Sequence, residues 1–558
     1  MPRLINNNII SKFELIQDKG SIKLYKCRNC LQSVTASSSS RLREHVEKCE
    51  ERPVSRSPTK NRNPAQTKLT QYCDNLNITN ATKIQEALCR WIFADNIPFN
   101  IVESNFFKDF INLIRPAFTE FLPSRHLIST SMLDNHYNNI KVAVQALIDQ
   151  SDSICLISDG WSNIRGDSVI NFILTTPKPI FYKSIVASNE SHTGAFIGSK
   201  LCDVIAEIGP DKICGVITDN APNMKCGWRY IENKYNHIFF VPCIAHSLHL
   251  LCKDYVNKIP QIKDITMKSE KIVNYFRNHF RPKFELRTQQ IGRYNKTISL
   301  KKYLPTRWGT MYEMFHSLLD SKEAIIAVVG FVLENDIREI ILDDLNSQCY
   351  WIKVSHLCCL FKPIVDSIKM FESDLPCLYQ VYPKLIEISK IINDICDNND
   401  YEESLEIKRI LKTRIQSMIN DTILLASLVD PLNHGKTISN DQFIQIRSFI
   451  KEKLQDESEF KILWSEILQY RAKTGVFNNI YIWEDATIVD AITWWKCHGN
   501  VAQALQKIAI RVLNIPASSA AAERSWSTMG NIHSDLRNRL TDDRVEKLVY
   551  VYQNERVL

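Results

Sequence analysis

The sequence predicts a multidomain α/β protein. A mixed sheet is interrupted by a large all-helical insertion and preceded by a small cysteine- and histidine-bearing module. Three observations carry this expectation. Between residues 151 and 242 the hydrophobic pattern changes from helical period to short apolar runs bounded by turns. From 243 to about 500 it is almost wholly helical. Near the start, Cys27, Cys30, His45 and Cys49 stand at metal-ligand spacing.

At 558 residues the chain is too long for one simple core, so about two to four domains are expected. With 44% apolar and 23% charged residues it has a globular composition. No apolar run approaches the ~20 residues of a membrane span. The opening MPRLINNNIISKFELIQ lacks a signal-peptide core, so an intracellular protein with no membrane partner is expected. The 17 Cys are scattered, which argues for reduced thiols and a metal site, not a disulfide framework. Net charge is +7, and residues 1–70 hold 14 Lys and Arg against 6 Asp and Glu. A basic first segment on a nearly neutral body reads as a nucleic-acid-binding arm or as a solvated tail.

The cysteines favour the arm. YKCRNCLQSVTASSSSRLREHVEKCE contains Cys27-x2-Cys30, then His45-x3-Cys49. The Cys-x2-Cys turn aims two thiolates at one ion, and His45 and Cys49 share a helix face, so four ligands close a tetrahedral Zn²⁺ site. Ser38–Ser40 supply N-caps, and Tyr25, Leu42 and Val46 a small core. So small a core needs the ion's binding energy to fold. Arg28, Arg41 and Arg43, with Lys48, point to DNA as the partner. In ligand spacing the module resembles a BED-type zinc finger. Residues 51–70, rich in Pro, Ser, Thr and charge, read as a flexible linker.

Residues 81–150 show helical periodicity. SICLISD then reads as a strand ending in Asp159, and SVINFILTT and IFYKSIVAS as two more. AFIGSKLCDVIAEIG is an amphipathic helix closed by Gly209. KICGVITD is a fourth strand ending in Asp219, and HIFFV a fifth. Each Asp alone reads as a turn-former or N-cap; as a pair over one sheet edge they suit a hard cation. The order strand, strand, strand, helix, strand, strand is that of the RNase H-like fold. There three acidic residues bind two metal ions, the third from a later helix. Glu523 in PASSAAAERSW, 304 residues after Asp219, is the candidate; its bland reading is an exposed charge beside Arg524.

A helical insertion must separate them. SHLCCLFKPIVDSIKMFE carries Leu357, Leu360, Phe361, Ile364, Ile368 and Phe371 on one stripe. Between Lys268 and Arg307 lie 11 Lys and Arg but only Glu270 and Glu285, with Tyr275, Phe276, Phe280, Phe284, Tyr294 and Tyr303 interleaved. Basic side chains neutralise phosphates and an Arg307–Trp308 pair stacks on an unpaired base; the other reading is a solvated face and a core Trp. In CIAHSLHLLC, Cys243, His246, His249 and Cys252 recur every third residue and cannot all converge on one ion from one helix.

SDGWSN, TDNAPNM, PCIAHSLHL, PTRWGTM, ASLVDPL and IPASSAAAERSWS, in that order, resemble the successive blocks of hAT-superfamily DNA transposases over about residues 80–558. The resemblance implies a catalytic triad of Asp159, Asp219 and Glu523 holding Mg²⁺ or Mn²⁺, with Cys243 and His246 near transposon-end DNA. It implies Trp308, beside Arg307, stacked on a flipped base. LRNRLTDDRVEKLVYVYQN resembles the family's C-terminal dimerisation region, so a homodimer or higher oligomer is expected. Its apolar face reads equally as core or as partner-facing. Trp526 stands where the family's pattern has Phe, a larger aromatic in a buried place.

The expected organisation is a BED-like finger (1–50), a linker (51–80), a helical region of DNA-binding or dimerisation type (81–150) and the first part of the RNase H-like core (151–242). The helical insertion follows (243–500), then the core's return with the dimerisation region (501–558). The expected activity is metal-dependent cleavage and strand transfer at element ends and target DNA, in the nucleus. A domesticated, inactive zinc-finger regulator that dimerises on DNA is the alternative. A nuclease on the same fold ranks behind both, since it needs neither finger nor dimerisation block.

Overall fold

A computed structural model describes residues 11–19, 22–28, 33–36, 39–50, 76–162, 168–176, 178–187, 193–304, 309–332, 344–398, 403–533 and 540–558. Ser38, Cys30, the proposed linker through residue 75, and Arg307 with Trp308 lie outside the described residues. The chain divides into two compact units, residues 1–82 with 108–122, and residues 83–107 with 123–558.

In the first unit β1 (Phe13–Lys19), β2 (Ile22–Cys27) and β3 (Ser33–Ala36) form an antiparallel meander, followed by helix α1 (Ser39–Glu50). Phe13, Tyr25, Cys27, Ala36 and Leu42 make its core, with Val34, Val46 and Cys49 packed against it. Among the described residues of the segment 13–50 these five are the buried apolar ones, few for an independent fold, the condition in which a bound ion supplies what the core lacks.

The second unit is built on a five-stranded mixed sheet in the order β6-β5-β4-β7-β8. Strands β4 (Ile154–Ser162), β5 (Ser168–Thr175) and β6 (Pro179–Ala187) are antiparallel neighbours; β7 (Ile213–Thr218) and β8 (Phe239–Pro242) run parallel to β4. Residues 154–158 of β4 and all of β7 are buried, as expected of central strands covered on both faces. One expectation changes: β4 does not end at Asp159. It continues to Ser162, because Gly160 and Trp161 stay paired with Ile170 and Val169. The Asp-Gly pair therefore lies within a strand and makes no turn.

Helix α2 (Leu133–Gln150) precedes β4, and the crossover from β6 to β7 is helix α3 (Gly194–Ile208), capped by Thr193 and closed by Gly209 at φ 106°. It packs on α4 (Pro222–Lys234) so closely that a Cβ at Gly198 would lie 2.8 Å from the Cβ of Tyr230. After β8 the chain enters α5 (Ile244–Lys258), α6 (Pro260–Asn278) and α7 (Phe280–Tyr294), then a long series of helices. Among them α8 (Gln348–Phe371) buries the whole predicted stripe from Leu357 to Phe371.

The chain returns to the sheet with α9 (Ala520–Ile532), against β4 and β5, and α10 (Asp542–Asn554), against β6. The apolar face of α10, with Val545, Leu548 and Val549, is core within this chain; Tyr552 is partly buried. At the sheet edge its last residue replaces a missing strand. The Phe181 N–H donates to Asn554 Oδ1 at 2.9 Å, and Asn554 Nδ2 donates to the Phe181 carbonyl at 2.8 Å. Asn554 is fully buried, so this pairing closes the β6 edge.

Asn554→Ala leaves two buried backbone groups unpaired and is expected to cost about 2–4 kcal/mol. Urea denaturation checks this; a midpoint unchanged from the native chain would contradict the edge-closing role.

Candidate functional site

Two sites follow from this architecture. The first lies in the small unit. The ligand atoms of Cys27, His45 and Cys49 lie within 4.8 Å of one another. Cys27 ends β2, while His45 and Cys49 are one turn apart on α1. The Phe13 ring packs against Tyr25 and His45, with centroids 6.4 Å and 5.6 Å away, and so supports the ligand face. Two thiols and an imidazole at this separation fit a Zn²⁺ ion. Phe13 was missed by the sequence reading because it lies 14 residues before Cys27, on a strand that hydrophobic period alone did not mark. Arg28, Arg41 and Arg43 are all solvent-exposed.

The second site is at one end of the large sheet. Strands β4 and β7 are parallel neighbours with Ile157 opposite Ile217, so Asp159 and Asp219 emerge side by side. Asp219 Oδ1 accepts the Ala221 N–H at 3.0 Å. Trp228 Nε1 donates to Thr218 Oγ1 at 3.1 Å, and that hydroxyl donates to the Asp219 carbonyl at 2.8 Å, fixing the turn. Asp159 is held on both oxygens: Gly160 N–H donates to Oδ1 at 3.0 Å and Trp526 Nε1 to Oδ2 at 3.0 Å.

Glu523 sits in the first turn of α9 and is exposed, as its bland reading expects. It nevertheless faces the two Asp closely enough for its charge to act on Asp159. Burial pushes the Asp159 carboxyl up to about 6. The charges of Glu523 and Asp219 add to the rise, and the Trp526 and Gly160 N–H groups oppose it. Small residues make the approach possible: Ala520, Ala522 and Ser525 are buried against the sheet. Asn171, opposite Asp159 on β5, donates from Nδ2 to Ser525 Oγ at 2.7 Å, and Ser525 donates to the Ala522 carbonyl. The sequence reading missed Asn171; an amide inside the apolar run SVINFILT was its signal. Trp526, read as a packing departure, is also a hydrogen-bond donor, which the smaller Phe could not be.

The preceding loop is pinned from the insertion. Ile244 N–H donates to the Ala517 carbonyl at 3.0 Å, and Ser518 Oγ to the Phe371 carbonyl at 2.7 Å. Cys243 Sγ accepts the N–H groups of His246 at 3.4 Å and Ser519 at 3.3 Å. Burial pushes its thiol up to about 11, so it serves as a neutral cap on α5. His249 Nε2 lies 3.3 Å from Glu372, and Cys252 is fully buried. Among the described residues only the finger gathers three ligand atoms within 4.8 Å; the 243–252 set does not, and the carboxylates stand further apart. Their donor set, acceptor-only oxygens from adjacent strands and a facing helix, still suits a hard divalent cation.

A finger module and a carboxylate-bearing α/β core with a helical insertion thus define the class. Residues 476–555 match the hAT family C-terminal dimerisation region, and residues 123–272 match a domain of unknown function, DUF659. The match at 476–555 agrees with the hAT-superfamily resemblance of the ordered motifs. Similar proteins include zinc finger BED domain-containing protein 4 of Homo sapiens, 19% identical over 540 residues, covering 85% of this chain and 44% of that protein. Zinc finger BED domain-containing protein 6 of Mus musculus is 18% identical over 579 residues, covering 87% of this chain and 56% of that protein. The chain spans about half the length of these relatives.

Chelating zinc, or replacing His45→Asn, is expected to unfold the segment 13–50, with nuclear magnetic resonance signals of Tyr25 and Leu42 collapsing to random-coil positions. Signals that survive chelation would exclude a structural ion. A second expectation follows from Asp159. Its native pKa of about 6 lies above the ordinary 3.8. The native state therefore binds the proton more readily, and stability falls as pH rises from about 4 to about 6, then stays low. Asp159→Asn should remove that fall and stabilise the metal-free chain at pH 7.5 by on the order of 1 kcal/mol, after allowance for solvent screening. Parallel pH–stability curves for the two proteins would contradict it.

Proposed function

We propose that this chain is a hAT-type DNA transposase that binds element ends through its finger and cleaves and joins DNA at Asp159, Asp219 and Glu523. The observation that carries the reading is that Asp159 and Asp219 leave adjacent parallel strands while Glu523 comes close enough for its charge to add to the effect of burial on the Asp159 carboxyl. The sheet order, three antiparallel strands with two parallel ones added beside the first, supports an RNase H-like core. On this reading the core is split between 151–242 and 501–558, with the helical insertion between the two parts.

When bound, Mg²⁺ or Mn²⁺ would activate a water or a 3′-hydroxyl and stabilise the leaving oxygen. The chain's own part is to hold the carboxylates. Gly160 and Trp526 orient Asp159, Ala221 orients Asp219, and the Asn171–Ser525 bond keeps Glu523 over the sheet. Arg28, Arg41 and Arg43 of the zinc-loaded finger contact phosphates. Cys243 and His246 shape the loop beside the carboxylates near transposon-end DNA. Arg307 and Trp308 accommodate an unstacked base at the cut. Residues 476–555 mediate assembly into a homodimer or higher oligomer, and the setting is nuclear. A second reading, a DNA-binding regulator with a retained but idle core, is favoured by carboxylates that stand further apart than the finger ligands.

Cleavage of DNA carrying the element's own flanking inverted repeats, with Mg²⁺ or Mn²⁺, separates the two. The transposase reading expects cleavage by the native chain and at least a ~10³-fold loss in Asp159→Asn and Glu523→Gln, with repeat binding unchanged. Repeat binding without cleavage by the native chain would overturn it in favour of the regulator.

A further inference from the structure

The basic, aromatic-rich start of the insertion does not behave as one unit. Tyr275, Phe276 and Tyr303 are buried and belong to the core. Phe280 and Phe284 are not: they are 86% and 57% exposed, on α7. Ile291, on the same helix, is 54% exposed.

Helix α7 has two faces. Pro282, Leu286 and Gln290 are buried, and α7 packs on the helix Lys322–Val332. Gln290 Nε2 donates to the Ile298 carbonyl at 2.9 Å and to Ser321 Oγ at 3.0 Å, fixing the helix rotation. The opposite side carries Phe280, Phe284, Arg287 and Ile291 on a stripe about 60° wide, with Arg281 on one flank and Lys283 on the other. Arg281, Lys283 and Arg287 are exposed and have no ion pair among the described residues. Glu285, the one acidic residue of the helix, lies off this stripe. The Phe280 and Phe284 rings have centroids 6.5 Å apart and planes within 17° of parallel, so both present faces in one orientation.

Two exposed phenyl rings among three unpaired cations are costly in water and unneeded for packing. We propose that the outer face of α7 binds an unpaired stretch of DNA. A base stacks on a phenyl ring only when its own face is free, which a duplex does not offer. The cations fall within two turns of the helix, a spacing that meets successive phosphates. The stripe is about 16 Å long, the reach of two or three nucleotides. This rests on the reading of the chain as a DNA-acting protein and deepens it: single-stranded DNA is the occupant.

The test is fluorescence anisotropy with the full zinc-loaded chain and no divalent cation beyond that zinc. The probes are an oligothymidylate of ~20 nucleotides, a mixed-sequence duplex of equal length and polyglutamate. Phe280→Ser/Phe284→Ser should weaken oligothymidylate binding about tenfold or more and leave duplex binding within about twofold. Arg281→Gln/Lys283→Gln/Arg287→Gln should weaken it too, and lower the slope of log K against log[salt] by about 2. All these positions are solvent-facing, and a melting temperature matching the native chain's confirms the fold. Unchanged oligothymidylate affinity in both variants would overturn the inference, as would equal losses on duplex and single strand in the Phe variant. Loss of polyglutamate binding alone would assign the face to an acidic protein and overturn it as well. If the native chain binds neither DNA probe, the DNA-acting reading falls with it. If it binds both and the variants do not differ, only this inference falls.

Discussion

The approach of α9 to the sheet is the constraint on which the carboxylate site depends. A helix can bring a side chain over the ends of β4 and β7 only if its near face is thin. Ala520, Ala522 and Ser525 provide that face, and all three are buried. Ser525 then converts closeness into register, since Asn171 donates to it from the residue paired with Asp159. Residues 354 apart in sequence are tied by that bond, and both partners are fully buried. The loop before α9 is fixed in turn by Cys243, Ile244 and Phe371 of the insertion. The helical insertion is thus a structural partner of the site and not only a spacer within it.

The same constraint has an energetic side. Asp159 is drawn partly out of water and set beside two other carboxylates, which its folded state tolerates only through two N–H donors. Trp526 supplies one of them from a side chain that also fills the buried face of α9. Orientation of Asp159 and packing of α9 therefore share a residue. A smaller aromatic there would keep part of the packing and lose the donor, leaving one Asp159 oxygen less well solvated than before.

Much of this was legible in the sequence, for local reasons. The strands of the large sheet, the α8 stripe and α3 follow local hydrophobic periods. The Cys and His spacing marked three ligands that do gather, Cys27 at the end of β2 and His45 with Cys49 on α1. Alanines before Glu523 announced a close helix. What was hidden depends on pairing across long separations. Asp159 looked like a strand end because Asp-Gly favours turns, yet β5 holds it in the ladder. Phe13, Asn171 and Asn554 carry no local signature of their partners, since a support for a ligand, a helix tether and an edge cap are defined by the elements they meet. Trp526 was visible as a size change, but its donated hydrogen bond spans 367 residues.

The proposed function needs Asp159, Asp219 and Glu523 to share a divalent cation at one sheet end. The measurement closest to it is a titration of the zinc-loaded chain with Mn²⁺, followed by electron paramagnetic resonance of the free ion at pH 7.5. Saturable binding by the native chain that weakens about tenfold or more in Glu523→Gln would bear the account out, because one exposed glutamate would then be shown to close a site built from distant strands. Binding that is absent in the native chain, or equal in native and Glu523→Gln proteins, would contradict it.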